Sequence, residues 1–502
     1  MKLLTRAAAA ILLVLAASAR ADVSELWGRA GERWSPTSRL PDFSFAGYHC
    51  GEAPLPDVPI VTDVKKHGAA GDGVTDDAKA FQAALDSAAG KGAVLVPEGR
   101  YVLGAPVVIT KGHVVLRGAG PGKTVLVVPK SLEQLEGAKT TDGVKSSHAF
   151  GGGFIVVRGA ARGVTLGPVA APAKRGDRQL TLEKAPANVK AGDWVRLVMP
   201  AGPELGRHVH ADQLDPGVAT LAERKTFIDW AARVTAVDGA RLTLDRSLRL
   251  DVRPEFKATA STYRPTVEEV GIEDLAFEFP GVPKKAHLKE EGFNAIHMVN
   301  AFNSWVRNVT IADADNGVLL GGCRNCRVEN VRFVAPRRKA PTGHHAIWAT
   351  GGSQDCLFTG FDVQTQYVHD LTVEGFASGN VFTRGKGQSL NFDHHSNAPY
   401  ENLFTDLDLG DPRRLWSSGG RQDRGPHSGA RSTLWNLRYN AGGKIAKLPT
   451  GWPQLTIVGV SGFAQDLTPD RFWIEPAAAG AAIEPANLYD AQLQRRLKSQ
   501  PR

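Results

Sequence analysis

The sequence predicts an all-β solenoid of stacked coils, on two observations. Six short segments, Asn308-Val-Thr-Ile, Asn330-Val-Arg-Phe, Cys356-Leu-Phe-Thr, Asn380-Val-Phe-Thr, Asn402-Leu-Phe-Thr and Asn436-Leu-Arg-Tyr, recur at spacings of 22, 26, 24, 22 and 34 residues. A period in the twenties with a polar or small residue before a short strand is the mark of coils that each bury one face against the next. The second observation is local. Gly71-Asp72-Gly73-Val74-Thr75-Asp76-Asp77 leads into a helical pattern, Ala78 to Ala88, and then the strand-like Ala93-Val94-Leu95-Val96-Pro97-Glu98-Gly99-Arg100-Tyr101. Thr75, Asp76 and Asp77 suit a helix start, where unpaired first-turn amides and the positive end of the dipole favour oxygen ligands. Phe81, Ala84 and Leu85 fall on one apolar stripe, so the helix is expected to cover an apolar end.

This opening segment resembles that of the pectate-lyase-like superfamily. The resemblance implies a right-handed parallel β-helix with a short N-terminal capping helix, and an activity on polysaccharides. It also makes the acidic residues of the opening segment structural rather than catalytic, because a fold does not by itself specify a chemistry.

The chain of 502 residues exceeds one ordinary globular domain, but a solenoid grows by adding coils. Residues 1–21 read as a secretory signal, with Lys2 and Arg6, an apolar run and Ala19-Arg20-Ala21 as a cleavage site. Export to the periplasm or beyond the cell is the expectation, with no later membrane span. Residues 22–58 carry Trp27, Trp34 and Tyr48 without periodicity and suit an extension packed on the solenoid. The first coils are placed at 59–168. Residues 169–265 break the pattern with strand-like runs and suit an inserted small β region, 266–465 hold the main coils, and 466–502 form a tail. Cys50, Cys323, Cys326 and Cys356 are too few for a disulfide scaffold, and the Cys323/Cys326 pair has no second pair or matching His spacing for zinc. Buried packing or a single bridge is left. Gly118 to Thr124 lacks the spacing of a phosphate loop, because Arg117 stands where its first glycine belongs.

The net charge of +8 favours an acidic partner. For an exported chain that is an anionic polysaccharide rather than nucleic acid.

The candidate site follows from using the recurring segments as a ruler. His344 to Thr350, Val368 to Glu374 and Leu390 to His395 each begin 12 residues before their marker, so consecutive coils stack them. Period-two alternation turns Ile347, Leu371, Val373, Leu390 and Phe392 inward. His344, Trp348, Asp370, Thr372, Glu374, Asn391, Asp393 and His395 then face outward. Coils ~4.8 Å apart would bring Asp370 and Asp393 close enough to share a proton or a cation. Downstream, Arg384, Lys386 and the basic, glycine-rich stretch with Arg413, Arg414, Trp416, Arg421 and Arg424 offer charge and forks for carboxylates, and Trp348 and Trp416 offer flat faces for sugar rings. The expected catalytic set is Asp370, Asp393, His395, His344, Lys386 and Arg421. The expected substrate-binding set is Arg384, Arg413, Arg414, Arg424, Trp348, Trp416 and His394.

Two reactions fit these groups. In a lyase, a base such as Lys386, Arg421 or a histidine removes the proton beside a uronate carboxylate neutralised by Arg384 or Arg424. The pectate lyases that the chain resembles use calcium, and the resemblance makes Asp370, Glu374 and Asp393 the candidate calcium ligands, this being the one cofactor it raises. A glycoside hydrolase needs two carboxyls, for which Asp313, Asp315, Asp370 and Asp393 are the candidates. A third reading is a β-helix that binds glycan without cutting it. The basic neighbourhood ranks the lyase first.

Overall fold

The computed structural model describes residues 22–141, 143–214, 227–411, 414–416, 418–420, 428–440, 448, 451–460, 471–476 and 482–499. The repeating residues form a right-handed parallel β-helix. Among the described residues its long sheet has 17 strands. The opposite, seven-stranded sheet carries the site, and its strands are all parallel: β1 (Val107–Ile109), β2 (Ile155–Arg158), β3 (Asn294–Val299), β4 (Asn316–Gly321), β5 (His345–Thr350), β6 (His369–Val373) and β7 (Phe392–His394), stacked in that order.

Between the sheets lies one continuous apolar core that includes Val318, Ile347, Leu371 and Phe392. Stacking repeats each side chain one coil on. Phe358, Phe382 and Phe404 lie nearly parallel at centroid distances of 4.5 and 4.8 Å, in strands that pair residue for residue. Such a pair contributes about 0.5–1.5 kcal/mol beyond its burial.

The recurring Asn positions belong to two columns rather than one. Pairing aligns Asn308 with Asn330, then Gly360, Arg384, Asp406 and Asn436. All six have φ between 50° and 66°, the left-handed bend that Asn, Asp and Gly adopt most readily. The second column runs Cys326, Cys356, Asn380, Asn402 and Ser432, and all five are buried. There Asn380 donates to Asn402 Oδ1 at 3.0 Å and to Ser353 O at 2.9 Å. Thus Cys356 does not replace an Asn of the Asn308–Asn330 column. It continues the buried one, whose positions accept any small side chain. All four cysteines are free and buried.

The helix α1 (Ala78–Ala88) buries Phe81, Ala84 and Leu85 against the first coils. Its acidic entry works differently from the expected cap. Asp76 Oδ1 accepts from Ala78 N and Gly104 N, whereas Asp77 turns back to accept from Ala70 N and Gly71 N. Gly71, at φ 66°, faces Tyr101 at 2.7 Å from where a Cβ would stand, so a side chain there is excluded twice.

Residues 165–262 contain a six-stranded antiparallel sheet with its own core. It docks on the solenoid through Phe376, Ala398, Tyr400 and Ala430, and through a buried charge network. Arg246 and Arg249 each bind Asp355 at 2.7 Å, and Arg249, Arg175 and Arg431 converge on Glu401. Trp27, Leu40 and Phe43 of the N-terminal segment pack with Leu488 and Tyr489 of α2 (Leu488–Ser499) over the outer face of the long sheet, on Leu357, Val381 and Leu403. Among the described residues no helix is long and apolar enough to cross a membrane.

Candidate active site

Five histidines and one aspartate meet over the outer face of β5, β6 and β7. His345 opens β5 with His344 just before it, His369 opens β6, Asp393 lies within β7 and His395 follows it. His287 arrives from the 279–293 segment that precedes β3. Ring centroids are 4.1 Å apart for His344 and His345, 4.9 Å for His345 and His369, 5.4 Å for His369 and His395, and 4.8 Å for His287 and His344. Only His287 is exposed, and it forms the mouth of the cluster.

Asp393 is the hub. Its Oδ2 accepts from His395 Nδ1 at 2.7 Å and from the Thr372 hydroxyl at 3.1 Å, and it lies 3.1 Å from His369 Nδ1. Its Oδ1 accepts from Gly419 N at 2.6 Å. Burial alone would raise its pKa, but His369, His395 and the Gly419 amide hold it well below the usual carboxylate range. Thr372 spends its one proton on Asp393, so its oxygen accepts from His345 Nδ1 at 3.0 Å. His344 Nδ1 lies 2.9 Å from Ala149 O, which can only accept. The Nδ1 protons of His344, His345 and His395 are therefore all fixed, and Nε2 is the lone-pair nitrogen in each. Burial, then the neighbouring imidazoles, push the pKa of His344 and of His345 well below the ordinary value, so both rings are neutral.

The cover over the cluster includes Gly419. A Cβ there would stand 2.4 Å from His395 Cε1 and 2.8 Å from His369 Cε1, so only glycine lets the backbone come this close. Beside the mouth, Lys284 binds Glu290 at 2.9 Å, and Glu290 lies 3.9 Å from His344 Nδ1. Lys284 and Lys285 also line an adjoining cavity of about 480 Å³.

The cluster contains three of the residues that the sequence marks as catalytic, His344, Asp393 and His395, and leaves others elsewhere. Asp370 is not among its acids. The pairing of β6 with β7 places Thr372, not Asp370, opposite Asp393. Asp370 accepts from Tyr367 N and Asn391 N and is bound by Arg414; burial pushes its pKa up to about 6 against those partners. Asp370 and Glu374 belong to neither close group of metal-ligating side chains among the described residues, so the carboxylate set expected for calcium does not assemble. His394 points inward, 3.6 Å from the Trp452 ring centroid, and is no sugar platform. Trp348 is buried and stacks on His345 at 4.5 Å, which orients that ring instead of offering a face to sugar. Trp416 packs edge-on to Trp452 at 5.0 Å. Lys386 stands in a strand of the long sheet and Arg384 at the bend before it, paired with Asp362 and Asp490 respectively. Arg413, Arg421 and Arg424 lie outside the described residues. Replacing Lys386 or Arg384 by Ala is accordingly expected to leave catalytic rates within a few-fold of the parent, as initial rates on any glycan substrate would show.

His345, His369 and His287 were not marked by the sequence. The pairing of β5 with β6 runs through His345↔His369 and Ile347↔Leu371 and skips Ala346 and Asp370, so alternation lapses where the strands begin. His287 lies 57 positions before its partner His344, on a loop that no periodicity locates. The double histidines at 344–345 and 394–395 were the available signal.

A family model described as rhamnogalacturonase A/epimerase, pectate lyase-like, matches residues 61–176. The tailspike gp61 of Pseudomonas phage phi297 shares the fold, at a TM-score of 0.52 and 15% identity over 86% of this chain and 66% of that one. Residues 61–176 therefore match the pectate-lyase-like superfamily. Alginate lyase 7 of Azotobacter vinelandii is 41% identical over 98 residues, which are 18% of this chain and 11% of the lyase. Mannuronan C5-epimerase AlgE4 of the same organism is 39% identical over 94 residues, 17% of this chain and 16% of the epimerase. The chain therefore spans only a small part of the curated relatives it matches. Residues 367–502, with His369, Asp393 and His395, match a domain of unknown function, DUF4955.

Proposed function

We propose that the protein is an exported enzyme that cleaves a uronate-containing polysaccharide by β-elimination, with the histidine cluster as its catalytic centre. The observation that carries this reading is the buried Asp393–His395 pair. Its carboxylate fixes the Nδ1 proton and leaves Nε2 as a base, in the way an aspartate orients and stabilises a catalytic imidazole elsewhere. His395 Nε2 takes the C5 proton, the electron pair forms the C4–C5 double bond, and the C4–O bond breaks. The departing oxygen takes a proton from water at the mouth. His369, 3.1 Å from the same carboxylate, helps to hold that carboxylate ionised and in place.

The hydrolase alternative loses support from its own acids. Asp313, Asp315 and Asp370 are bound by Arg337, Arg338 and Arg414 respectively, which leaves no free acid and carboxylate pair among them. The names of the alginate lyase and the mannuronan epimerases support a uronate substrate, as does the net charge of +8.

The test is incubation with polymannuronate, polyguluronate, polygalacturonate and glucuronan, following ultraviolet absorbance from unsaturated ends, reducing ends and the proton NMR spectrum. The reading predicts absorbance and reducing ends rising together on at least one polymer. Reducing ends without absorbance would assign a hydrolase, changed NMR signals without chain cleavage a C5-epimerase, and no change on any polymer a binding protein.

A further inference from the structure

Elimination next to a carboxylate needs a cation on that carboxylate; of the two arginines expected to supply it, Arg384 is bound to Asp490 and Arg424 lies outside the described residues. We infer that His287, His344 and His369 form a binding site for one divalent transition-metal ion, zinc or a neighbour of zinc, at the mouth of the cluster.

The three side chains each offer one ligand atom within 4.8 Å of the others. His344 Nε2 and His287 Nε2 face each other at 3.2 Å, close to the ~3.3 Å separating two nitrogens that each sit about 2.0–2.1 Å from a tetrahedral zinc. The Ala149 carbonyl holds His344 Nδ1–H at 2.9 Å, the outer-shell contact that turns Nε2 toward a metal and fixes its tautomer. His369 lies 3.1 Å from Asp393 Oδ2, which supplies a carboxylate behind a second ligand. Closing the set onto one ion requires its widest-spaced ligand atoms, up to 4.8 Å apart, to approach by up to about 1.5 Å, toward the ~3.3 Å of a tetrahedral zinc. Imidazole ligands select zinc, copper, nickel or iron over calcium and magnesium, which prefer oxygen. Three protein ligands leave a coordination position open. In the elimination proposed above, on which this role rests, that position would take the uronate carboxylate.

The experiment is metal binding to the full chain, read without activity. Protein treated with chelator and dialysed would be titrated with Co(II), following visible absorbance, and then with Zn(II) by calorimetry. One ion per chain is expected, with affinity at least ~100-fold weaker in His287→Ala, beyond the 10–100-fold typical of losing an outer-shell partner. His287 is exposed, so that variant should retain its fold, which circular dichroism would confirm. Binding that survives His287→Ala unchanged but is lost in Asp393→Asn would overturn the assignment in favour of His369, Asp393 and His395, the second close group. No stoichiometric binding to the parent would also overturn it, and would leave the elimination reading to its own product assay.

Discussion

Asp393→Asn is expected to lower the rate of elimination by about 10²–10⁴-fold, the range over which a positioned acid–base group contributes, with KM little changed. The carboxylate accepts four contacts at once, from Thr372, His395, Gly419 and His369. Asn keeps one oxygen and replaces the other with a donor. If that donor faces His395, the ring must present its lone pair at Nδ1, the proton moves to Nε2, and the base is lost. If it faces Gly419, two N–H groups oppose each other and the cover over the site is displaced. Either orientation also removes the charge that stabilises the imidazolium. Initial rates of unsaturated-end formation, alongside circular dichroism, check this; a folded variant with parental rates would remove Asp393 from the mechanism.

Asp355→Ala is expected to cost about 3–5 kcal/mol of stability, the penalty for leaving buried charge uncompensated. Arg246 and Arg249 are 3% and 7% exposed and both bind Asp355 at 2.7 Å. Gln354 donates to the same carboxylate at 2.8 Å. Because the arginines come from the inserted β region and the aspartate from a solenoid turn, the variant should loosen the docking of that region first. The thermal midpoint should fall by several degrees, and limited proteolysis should cut within 165–262 before it cuts the coils. The pair of exposed Lys66 with Asp63, at 3.5 Å, is the contrast: Lys66→Ala should cost under ~1 kcal/mol. Equal effects from both substitutions would refute the distinction.

The coil architecture was legible because stacking converts a fixed strand spacing into a sequence period. What the period could not resolve was which bend a given Asn occupies. Asn330 and Asn380 look alike in sequence, yet one sits at a left-handed bend and the other in a buried turn column. The site was legible where alternation held, at Asp393 and His395, and illegible where it lapsed. The β6–β7 register sets Thr372 opposite Asp393, two residues on from Asp370, and so replaces an expected pair of carboxylates with a carboxylate–imidazole network. Lys386 and Arg384 misled for a related reason. Proximity in sequence to the site strands says nothing about which side of a coil a charge occupies, and these two lie in a strand of the long sheet and at the bend before it. His287 shows the limit from the other side, since a loop residue joins the cluster only through tertiary contact.

The central claim is that the histidine cluster removes a proton from a uronate. The most direct measurement is the rate of unsaturated-end formation by the parent and by His395→Ala, on whichever polyuronate the parent cleaves and with metal supplied equally to both. The account predicts a loss of at least ~100-fold in the variant, in line with the contribution of a positioned base, with folding and substrate binding retained. A His395→Ala protein that forms unsaturated ends at the parental rate would contradict it.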